Sequence, residues 1–189
     1  MASEKLDPGS ISALVKSAQD GDTEAFGRLY DHFFPQVYRY AALRVPAAVA
    51  EDLTAEIFVK VWEKLAGYEE RTNVPFGAWL FRIARNMVVD AYRTARTWEE
   101  IPDDLSDPDE WNRADDRVRR VLLLKTVRKA LSELPRRYRE VLELTYIADL
   151  PHAEAAGALK ISEGSLRIRK FRALKKLEAI LPPEFKENM

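Results

Sequence analysis

The stretch LPHAEAAGALKISEGSLRIRKFRALKKLEAIL, residues 150–181, has the pattern of two helices separated by a short turn. The first helix is predicted to end near Leu159. Ser162 is a good N-cap for the second, because a serine side chain accepts a hydrogen bond from a backbone N–H of the first helical turn. Apolar side chains recur every three or four residues along the second helix and form a stripe that faces a core. The pattern predicts a helix-turn-helix.

The outer face of this second helix combines basic and apolar side chains, which is the chemistry of a surface that enters a DNA major groove. Arginine and lysine bind base edges or phosphates there, and apolar side chains contact thymine methyl groups. The residues of this face are Ser165, Ile168, Phe171, Arg172 and Lys175, and the full set predicted to bind duplex DNA adds Arg167 and Lys176. The alternative is that Ile168 and Phe171 pack on another part of the chain or on a partner protein.

The net charge of −1 over 189 residues conceals a strong separation of charge along the chain. Residues 1–97 have a net charge of −1, residues 98–116 of −8 and residues 117–189 of +8. A basic C-terminal segment is typical of nucleic-acid binding, although a solvated basic surface would give the same count. The acidic segment contains two prolines and no sustained apolar period, so we predict a flexible linker there.

The composition excludes several classes of function. The sequence has no cysteine and only two histidines, which argues against disulfides, thiolate sites, a conventional zinc site and histidine-based catalysis. No cofactor, metal or small-molecule substrate is expected. No stretch has the roughly 20 apolar residues that cross a bilayer, and the N-terminus lacks the apolar core of a secretory signal. We therefore expect a cytoplasmic binding protein rather than an enzyme.

The remaining apolar periodicity is also helical, so the fold class predicted is all-α, with two helical domains joined by the acidic linker. In the first domain, Ser10 and Asp22 are the predicted caps of the first two helices, and Pro35 is expected to kink or divide the second. Two further helices are predicted at about 47–65 and 76–96. After the linker, the predicted helices cover about 117–132, 136–147, 151–159 and 163–181.

The third helix, within AEDLTAEIFVKVWEKL (residues 50–65), is apolar over an unusually wide arc. A helix that faces one core needs a stripe of only about a hundred degrees. The extra width, which includes Phe58 and Trp62, indicates burial on two sides. This pattern is typical either of a central helix within its own domain or of a helix that docks on another protein, with Asp52, Glu56 and Glu63 as a polar rim.

The segment YEERTNVPFGAWLFRIARNMVVDAYRTAR, residues 68–96, interleaves aromatic and basic side chains. Aromatic rings that stack on bases, next to guanidinium groups that bind phosphates, are typical of single-stranded nucleic-acid binding. Trp79, Ile83 and Val89 also fit an ordinary core stripe, so this pattern alone leaves both interpretations open.

Three blocks together resemble the extracytoplasmic-function (ECF) type of bacterial sigma factor. They are AEDLTAEIFVKVWEKL, PFGAWLFRIARNMVVDAYR and LPRRYREVLELTYIADLPHAEAAGALKISEGSLRIRKFRALKKL, in that order around a variable linker. The resemblance covers nearly the whole chain. It implies a sigma region 2 domain over residues 10–97, an acidic linker over 98–116, and a sigma region 4 helix-turn-helix domain over 117–182.

The resemblance implies a transcription initiation factor that directs core RNA polymerase to promoters. The third helix is expected to dock on a coiled coil of the polymerase β′ clamp, and the second domain to contact the β flap. The helix-turn-helix is expected to bind the −35 element. The polymerase-docking residues implied are Asp52, Leu53, Glu56, Phe58 and Trp62.

The resemblance also implies that the fourth helix and the loop before it open the −10 element, with a flipped base held by Arg71, Thr72 and Asn73. The complete set expected at the −10 element is Arg71, Thr72, Asn73, Trp79, Arg82, Arg85, Asn86 and Arg93. A cognate anti-sigma factor is a further expected partner. The acidic linker is expected to run through basic channels of the polymerase.

Two residues depart from the usual pattern of this family. Lys160 occupies a turn position that is usually glycine, where a left-handed backbone is strained for any other residue. Ile168 replaces the usual small polar residue of the recognition helix. Two other functional classes remain: a conventional helix-turn-helix regulator that binds DNA without polymerase, and an enzyme acting on nucleic acid, for which the sequence offers no plausible catalytic group.

Overall fold

The computed structural model describes residues 6–70, 74–95 and 125–182, and the all-helical fold class predicted from the sequence is confirmed there. Apart from a bridge residue at Val74, the regular structure within these ranges is helical. The elements are α1 Pro8–Gln19, α2 Thr23–Ala42, α3 Ala47–Leu65, α4 Phe76–Ala95, α5 over 125–133, α6 Arg136–Leu142, a π-helical turn Glu143–Ile147, α7 His152–Leu159 and α8 Glu163–Ile180. The predicted linker over 98–116 lies outside the described residues.

Aspartate and serine caps fix the starts of three helices. The side chain of Asp22 accepts hydrogen bonds from the backbone N–H groups of Glu24 and Ala25, at 2.9 and 3.0 Å. Asp7, not Ser10, caps α1, so the predicted cap was wrong; Ser10 donates from its hydroxyl to the Asp7 carboxylate at 2.6 Å. Pro8 at the first helical position explains the earlier start, because proline is tolerated where the N–H has no helical acceptor.

The structure refines the predicted helix pattern at two further places. Helix α2 runs through Pro35 and is not divided there, because Phe33 and Val37 on either side are fully buried and packing holds the helix together. The helix predicted over 136–147 is instead α6 followed by the π-helical turn. In that turn the Ala148 N–H donates to the Glu143 carbonyl at 2.9 Å, so the hydrogen bond spans five residues and the turn contains one residue more than an α-helical turn.

Helices α1 to α4 surround a core built mainly from α2, α3 and α4. Its largest fully buried side chains include Phe33, Tyr40, Ile57 and Phe81. Burial raises the pKa of the Tyr40 hydroxyl, which therefore stays neutral. These helices, residues 6–95, are called the α1–α4 unit below.

Residues 125–182, the α5–α8 unit, pack directly against the α1–α4 unit. A small cluster of its own joins Leu131, Leu134, Tyr138, Leu142 and Ala173. Other side chains of this unit are continuous with the larger core of the first one, among them Val141, Leu144, Ala155 and Leu166. The π-helical turn lies against α2, and α7 lies against α4. Helices of both units therefore contribute to the larger core, and the α5–α8 unit also has its smaller cluster.

Candidate nucleic-acid interface

Helices α7 and α8 form the helix-turn-helix. Lys160 ends α7 with φ 55° and ψ 44°, the left-handed conformation that a turn of this kind requires. Ser162 then caps α8 by accepting a hydrogen bond from the Ser165 N–H at 3.2 Å. Fully buried Leu166 anchors α8 in the core, which turns the opposite side of the helix outward.

The α8 outer face, defined by Ile168, Phe171, Arg172 and Lys175, carries two large apolar side chains in solvent. Ile168 is 56% exposed and Phe171 is 60% exposed, although each would favour burial. The Lys175 ammonium lies over the Phe171 ring, 5.0 Å from its centroid. Among the described residues, Ile168 and Phe171 therefore do not pack on another part of the chain, which removes one alternative left open by the sequence.

The other predicted −35 residues lie at the edges of the α8 outer face. Arg167 is exposed, with a distance of 3.8 Å between its guanidinium and the Glu163 carboxylate. Ser165 is half-buried and belongs to the helix cap. The Lys176 ammonium is 5.8 Å from the ring centroid of Tyr138, on the side towards α6. The structure thus brings the seven residues onto adjacent sides of one helix.

Helix α4 carries the residues predicted to contact the −10 element. Asn86 and Arg93 are exposed on it. Trp79 is half-buried in an aromatic cluster, with ring-centroid distances of 4.8 Å to Tyr68 and 5.4 Å to Phe76. Arg71, Thr72 and Asn73 lie outside the described residues. Within the described part of this set, Asn86 and Arg93 are therefore exposed, whereas Trp79 is packed against other aromatic rings.

Arg82 and Arg85 are both engaged by the α5–α8 unit. The Arg82 guanidinium donates to the Gly157 carbonyl from Nε at 3.0 Å and from Nη2 at 2.6 Å. Arg85 donates from Nη2 to the two carboxylate oxygens of Glu140, at 2.8 and 3.0 Å. Burial pushes the pKa of Glu140 upward, but hydrogen bonds from Arg136 and Arg85 outweigh it and hold that pKa below its usual value. Glu140 is therefore a charged partner for Arg85.

A cleft of about 640 Å³ separates α4 from the ends of α3 and α7. Its lining from α4 comprises Trp79, Arg82, Ile83, Arg85 and Asn86. Lys64 and Lys160 add positive charge from the other two helices, and Glu63 adds one negative charge. Four of the predicted −10 residues, Trp79, Arg82, Arg85 and Asn86, therefore border one mainly basic cleft at the contact between the two units.

Helix α3 presents an outer face, defined by Asp52, Glu56, Val59 and Trp62, to solvent. Trp62 is 39% exposed and contacts Phe26 edge-to-face at 4.7 Å. Val59 is 60% exposed, and the predicted docking set did not include it. In the sequence, Val59 could have been identified as a docking residue because it is an apolar residue within a polar stripe of α3.

Two of the predicted docking residues lie in the core instead. Leu53 is 6% and Phe58 is 3% exposed, and the Phe58 ring packs on Tyr30 at a centroid distance of 4.6 Å. Their side chains are unavailable to a partner, which corrects that part of the prediction. Part of the wide apolar arc of α3 therefore packs in the core, and the rest belongs to the exposed α3 outer face.

Within residues 6–70, 74–95 and 125–182, no group of histidine, aspartate and glutamate side chains is arranged to hold a metal ion. No helix in the same ranges is long and apolar enough to cross a membrane.

Comparison with known proteins identifies two family segments in this chain. The family described as Sigma-70 region 2 matches residues 29–98, and the family described as Sigma-70, region 4 matches residues 124–177. The first segment contains the α3 outer face and α4, and the second contains the helix-turn-helix.

Curated relatives extend the match over almost the whole chain. The ECF RNA polymerase sigma factor BldN of Streptomyces coelicolor is 34% identical over 181 residues, covering 94% of this chain and 68% of BldN. The ECF RNA polymerase sigma factor SigM of Bacillus subtilis is 31% identical over 153 residues, covering 80% of this chain and 92% of SigM.

The fold matches solved sigma-factor structures as well. CnrH, in a complex with the cytosolic domain of CnrY, is 29% identical with a TM-score of 0.67, over 90% of this chain and 96% of CnrH. RpoE of Bartonella quintana is similar in fold, with a TM-score of 0.57. With both sigma segments matched and full-length relatives at this identity, the chain belongs to the ECF sigma factors of the sigma-70 family, which are non-enzymatic initiation factors that bind core RNA polymerase and direct it to promoters.

Proposed function

We propose that the α8 outer face reads the −35 element by entering the major groove. The observation that carries this proposal is the exposure of Ile168 and Phe171 between cationic side chains. A thymine methyl group would cover such an apolar side chain on binding, while Arg172 is able to bond a guanine edge with two N–H groups. Lys175 on this face, and Arg167 and Lys176 at its edges, supply phosphate contacts, which give affinity without sequence preference.

The −10 element is assigned to α4 and the loop before it. Asn86 and Arg93 lie exposed along this helix, and Arg82, Arg85 and Trp79 border the basic cleft. An aromatic and cationic surface of this kind suits a separated strand, because every base has a face that stacks and every phosphate carries charge. Arg71, Thr72 and Asn73 complete the proposed site.

The α3 outer face is the proposed docking surface for the β′ clamp of core polymerase, with Trp62 and Val59 as its apolar centre and Asp52 and Glu56 as its rim. Aromatic side chains surrounded by polar groups are enriched in protein interfaces. The β flap is assigned to the α5–α8 unit. The domain division proposed is 10–97 and 117–182, joined by the acidic linker over 98–116.

The regulatory partner proposed is an anti-sigma factor. Support comes from CnrH, which is similar over 90% of this chain and whose solved structure contains the cytosolic domain of CnrY. The place of action proposed is the cytoplasm, where core polymerase meets chromosomal DNA.

Run-off transcription tests these assignments directly. Core polymerase is supplied with this protein and with templates whose −35 and −10 elements are randomised separately. We expect a defined −35 preference that Arg172→Ala changes, and strand opening that Asn86→Ala or Arg93→Ala weakens. Tight sequence-specific binding by the protein without polymerase would favour a conventional helix-turn-helix regulator instead.

A further inference from the structure

Helix α1 contacts residues 66–70, which follow α3 and are called the α3 exit segment below. None of the residues assigned above to DNA or to polymerase lies on α1. The side-chain amide of Gln19 donates from Nε2 to the Leu65 carbonyl at 2.9 Å and to the Tyr68 carbonyl at 2.7 Å. Leu65 is the last residue of α3, where backbone carbonyls lack helical donors. Gln19 therefore holds the end of α3 and the exit segment in one arrangement.

The two carbonyl groups require a side chain with at least two N–H donors at position 19. The amide nitrogen of glutamine carries two hydrogens, whereas the amide oxygen only accepts. Rotating the amide of Gln19 by half a turn would direct its oxygen at two other oxygens, so its orientation follows from its partners. A glutamate would keep the shape of the side chain but lack both donors. The interaction therefore depends on the chemistry of this residue and not only on its size.

A second side chain of α1 binds the α3 exit segment nearer to α4 along the chain. The Ser12 hydroxyl donates to the Glu70 carboxylate at 2.5 Å, a short hydrogen bond because the acceptor is charged. Ser12 and Gln19 are two helical turns apart, so they lie on the same side of α1. Glu70 directly precedes Arg71, the first of the residues proposed to hold a flipped base. Helix α1 thus fixes the exit segment at its beginning and at its last described residue.

The ring of Tyr68 connects the α3 exit segment to α4. Tyr68 is 8% exposed, and its ring centroid lies 4.8 Å from that of Trp79 and 5.3 Å from that of Phe76, both in the first turn of α4. The Tyr68 hydroxyl is buried and has no hydrogen-bond partner among the described residues, so ring packing and the backbone bond of Gln19 position this side chain. A displacement of the Tyr68 backbone therefore displaces the ring against which Trp79 packs.

Trp79 borders the cleft of the proposed −10 site, so its orientation bears on DNA binding. A side chain that is already held in its binding orientation loses less conformational entropy when the ligand arrives. Stacking on a base also requires the ring to lie in a defined plane. The contacts from α1 to Tyr68 and Trp79 all lie within the α1–α4 unit, so they do not depend on where the α5–α8 unit lies.

We propose that Gln19 and Ser12 are positioning residues of the −10 site: their hydrogen bonds to the α3 exit segment hold Tyr68 and Trp79 in the orientation that receives the separated strand. This inference rests on the proposed −10 role of Trp79 and adds a role for α1. Neither Gln19 nor Ser12 contacts the DNA. Loss of their hydrogen bonds therefore slows strand opening and leaves the −35 contacts, which lie on α8, unchanged.

The main test variant is Gln19→Glu, which keeps the shape of the side chain and replaces the donor by a charged acceptor. Gln19→Lys is the rescue variant, because an ammonium group still donates to carbonyl oxygens. Ala13→Glu is the matched control, since it introduces the same charge at an exposed position of α1. Ser12→Ala removes only the second hydrogen bond and decides the question if Gln19→Glu does not fold. Circular dichroism and urea unfolding check each full-length variant.

Two steps of initiation are measured separately with holoenzyme reconstituted from core polymerase and each variant. The affinity for duplex promoter DNA in the cold reports the closed complex. The rate of strand opening on warming is followed by the fluorescence of 2-aminopurine placed in the −10 element. We expect Gln19→Glu to slow opening by on the order of tenfold, the factor that corresponds to one lost buried hydrogen bond, and to leave the closed-complex affinity unchanged. Ser12→Ala should slow opening less, while Gln19→Lys and Ala13→Glu should open at close to the wild-type rate.

A fluorescence measurement on the protein without polymerase follows Trp79 directly. The sequence has four tryptophans, and replacing Trp62, Trp98 and Trp111 by phenylalanine leaves Trp79 as the single indole. Quenching of its emission by acrylamide should increase when Gln19→Glu is added, because looser packing on Tyr68 exposes the Trp79 ring. The same background with Ala13→Glu should show no increase.

Three results would overturn the positioning role: wild-type opening rates in both Gln19→Glu and Ser12→Ala, slower opening with unchanged quenching of Trp79, or closed-complex affinity reduced as much as opening. The last result would indicate a general structural defect. The proposed −10 site is tested independently by Asn86→Ala and Arg93→Ala. If these two variants open promoters normally, the −10 assignment of α4 fails. If they open slowly while Gln19→Glu and Ser12→Ala open normally, only the positioning role fails.

Discussion

Replacing Glu154 with glutamine should make the stability of the protein less dependent on pH. The carboxyl group lies against the first turn of α4, where burial raises its pKa from the ordinary value of 4.5 to about 7. Desolvation by burial is the cause of this shift. Glutamine keeps the shape of the protonated acid but does not titrate.

The sign of the effect follows from the direction of the shift. A group whose pKa is raised by folding binds its proton more tightly in the folded state, so its stabilising contribution is complete below pH 4.5 and is lost as the pH rises through about 7. The interval from 4.5 to about 7 corresponds to roughly 3 kcal/mol. Between pH 5 and pH 8.5, wild type should therefore lose roughly 2–3 kcal/mol relative to Glu154→Gln.

Urea unfolding at a series of pH values measures this difference. Titration of the remaining groups is common to both proteins and cancels when the two free energies of unfolding are subtracted at each pH. Glu178→Gln, at an exposed position of α8, is the control for the loss of one carboxylate charge outside the contact between α4 and α7. Parallel profiles for wild type and Glu154→Gln would refute the burial of a titrating carboxyl group between α4 and α7.

Three further predictions concern single side chains of the α3 outer face, the turn and the α8 outer face. Phe58→Ala should cost about 3–5 kcal/mol of stability in urea unfolding, because it removes a buried ring. Trp62→Ala should mainly weaken binding to core polymerase in a direct affinity assay. The opposite pattern would contradict the assignment of Phe58 to the core and of Trp62 to the α3 outer face. Lys160→Gly should raise the free energy of unfolding by about 1 kcal/mol, since glycine adopts φ 55° without strain, and a loss of stability would argue against this explanation. Arg172→Ala should change the order of preferred −35 sequences in run-off transcription. Lys175→Ala should weaken transcription from all promoters alike and reduce the salt dependence of promoter binding. Identical effects of the two substitutions would contradict the assignment of a base contact to Arg172 and a phosphate contact to Lys175.

Periodicity and capping residues identified most helices in the amino-acid sequence. Apolar spacing of three and four is a local property, so the extents of α2, α3 and α8 follow from neighbouring residues alone. The sequence predicts the cap of α1 at Ser10, whereas the structure has it at Asp7, because both are good caps and only the backbone path distinguishes them. Nothing in the sequence predicts the π-helical turn Glu143–Ile147, since its extra residue is fixed by packing on α2 and produces no periodic pattern.

The sequence by itself determined the family, the helical fold class and the chemistry of the α8 outer face, because these depend on residue types at fixed spacings along the chain. Tertiary structure alone decided which apolar side chains of α3 are accessible. Phe58 is buried and Val59 is exposed, although both lie within the apolar arc of that helix. It also decided that Arg82 and Arg85 bind Gly157 and Glu140, which are distant in sequence. Local periodicity carries no information about such partners, because a contact between two units depends on how their surfaces fit and not on the spacing within either one.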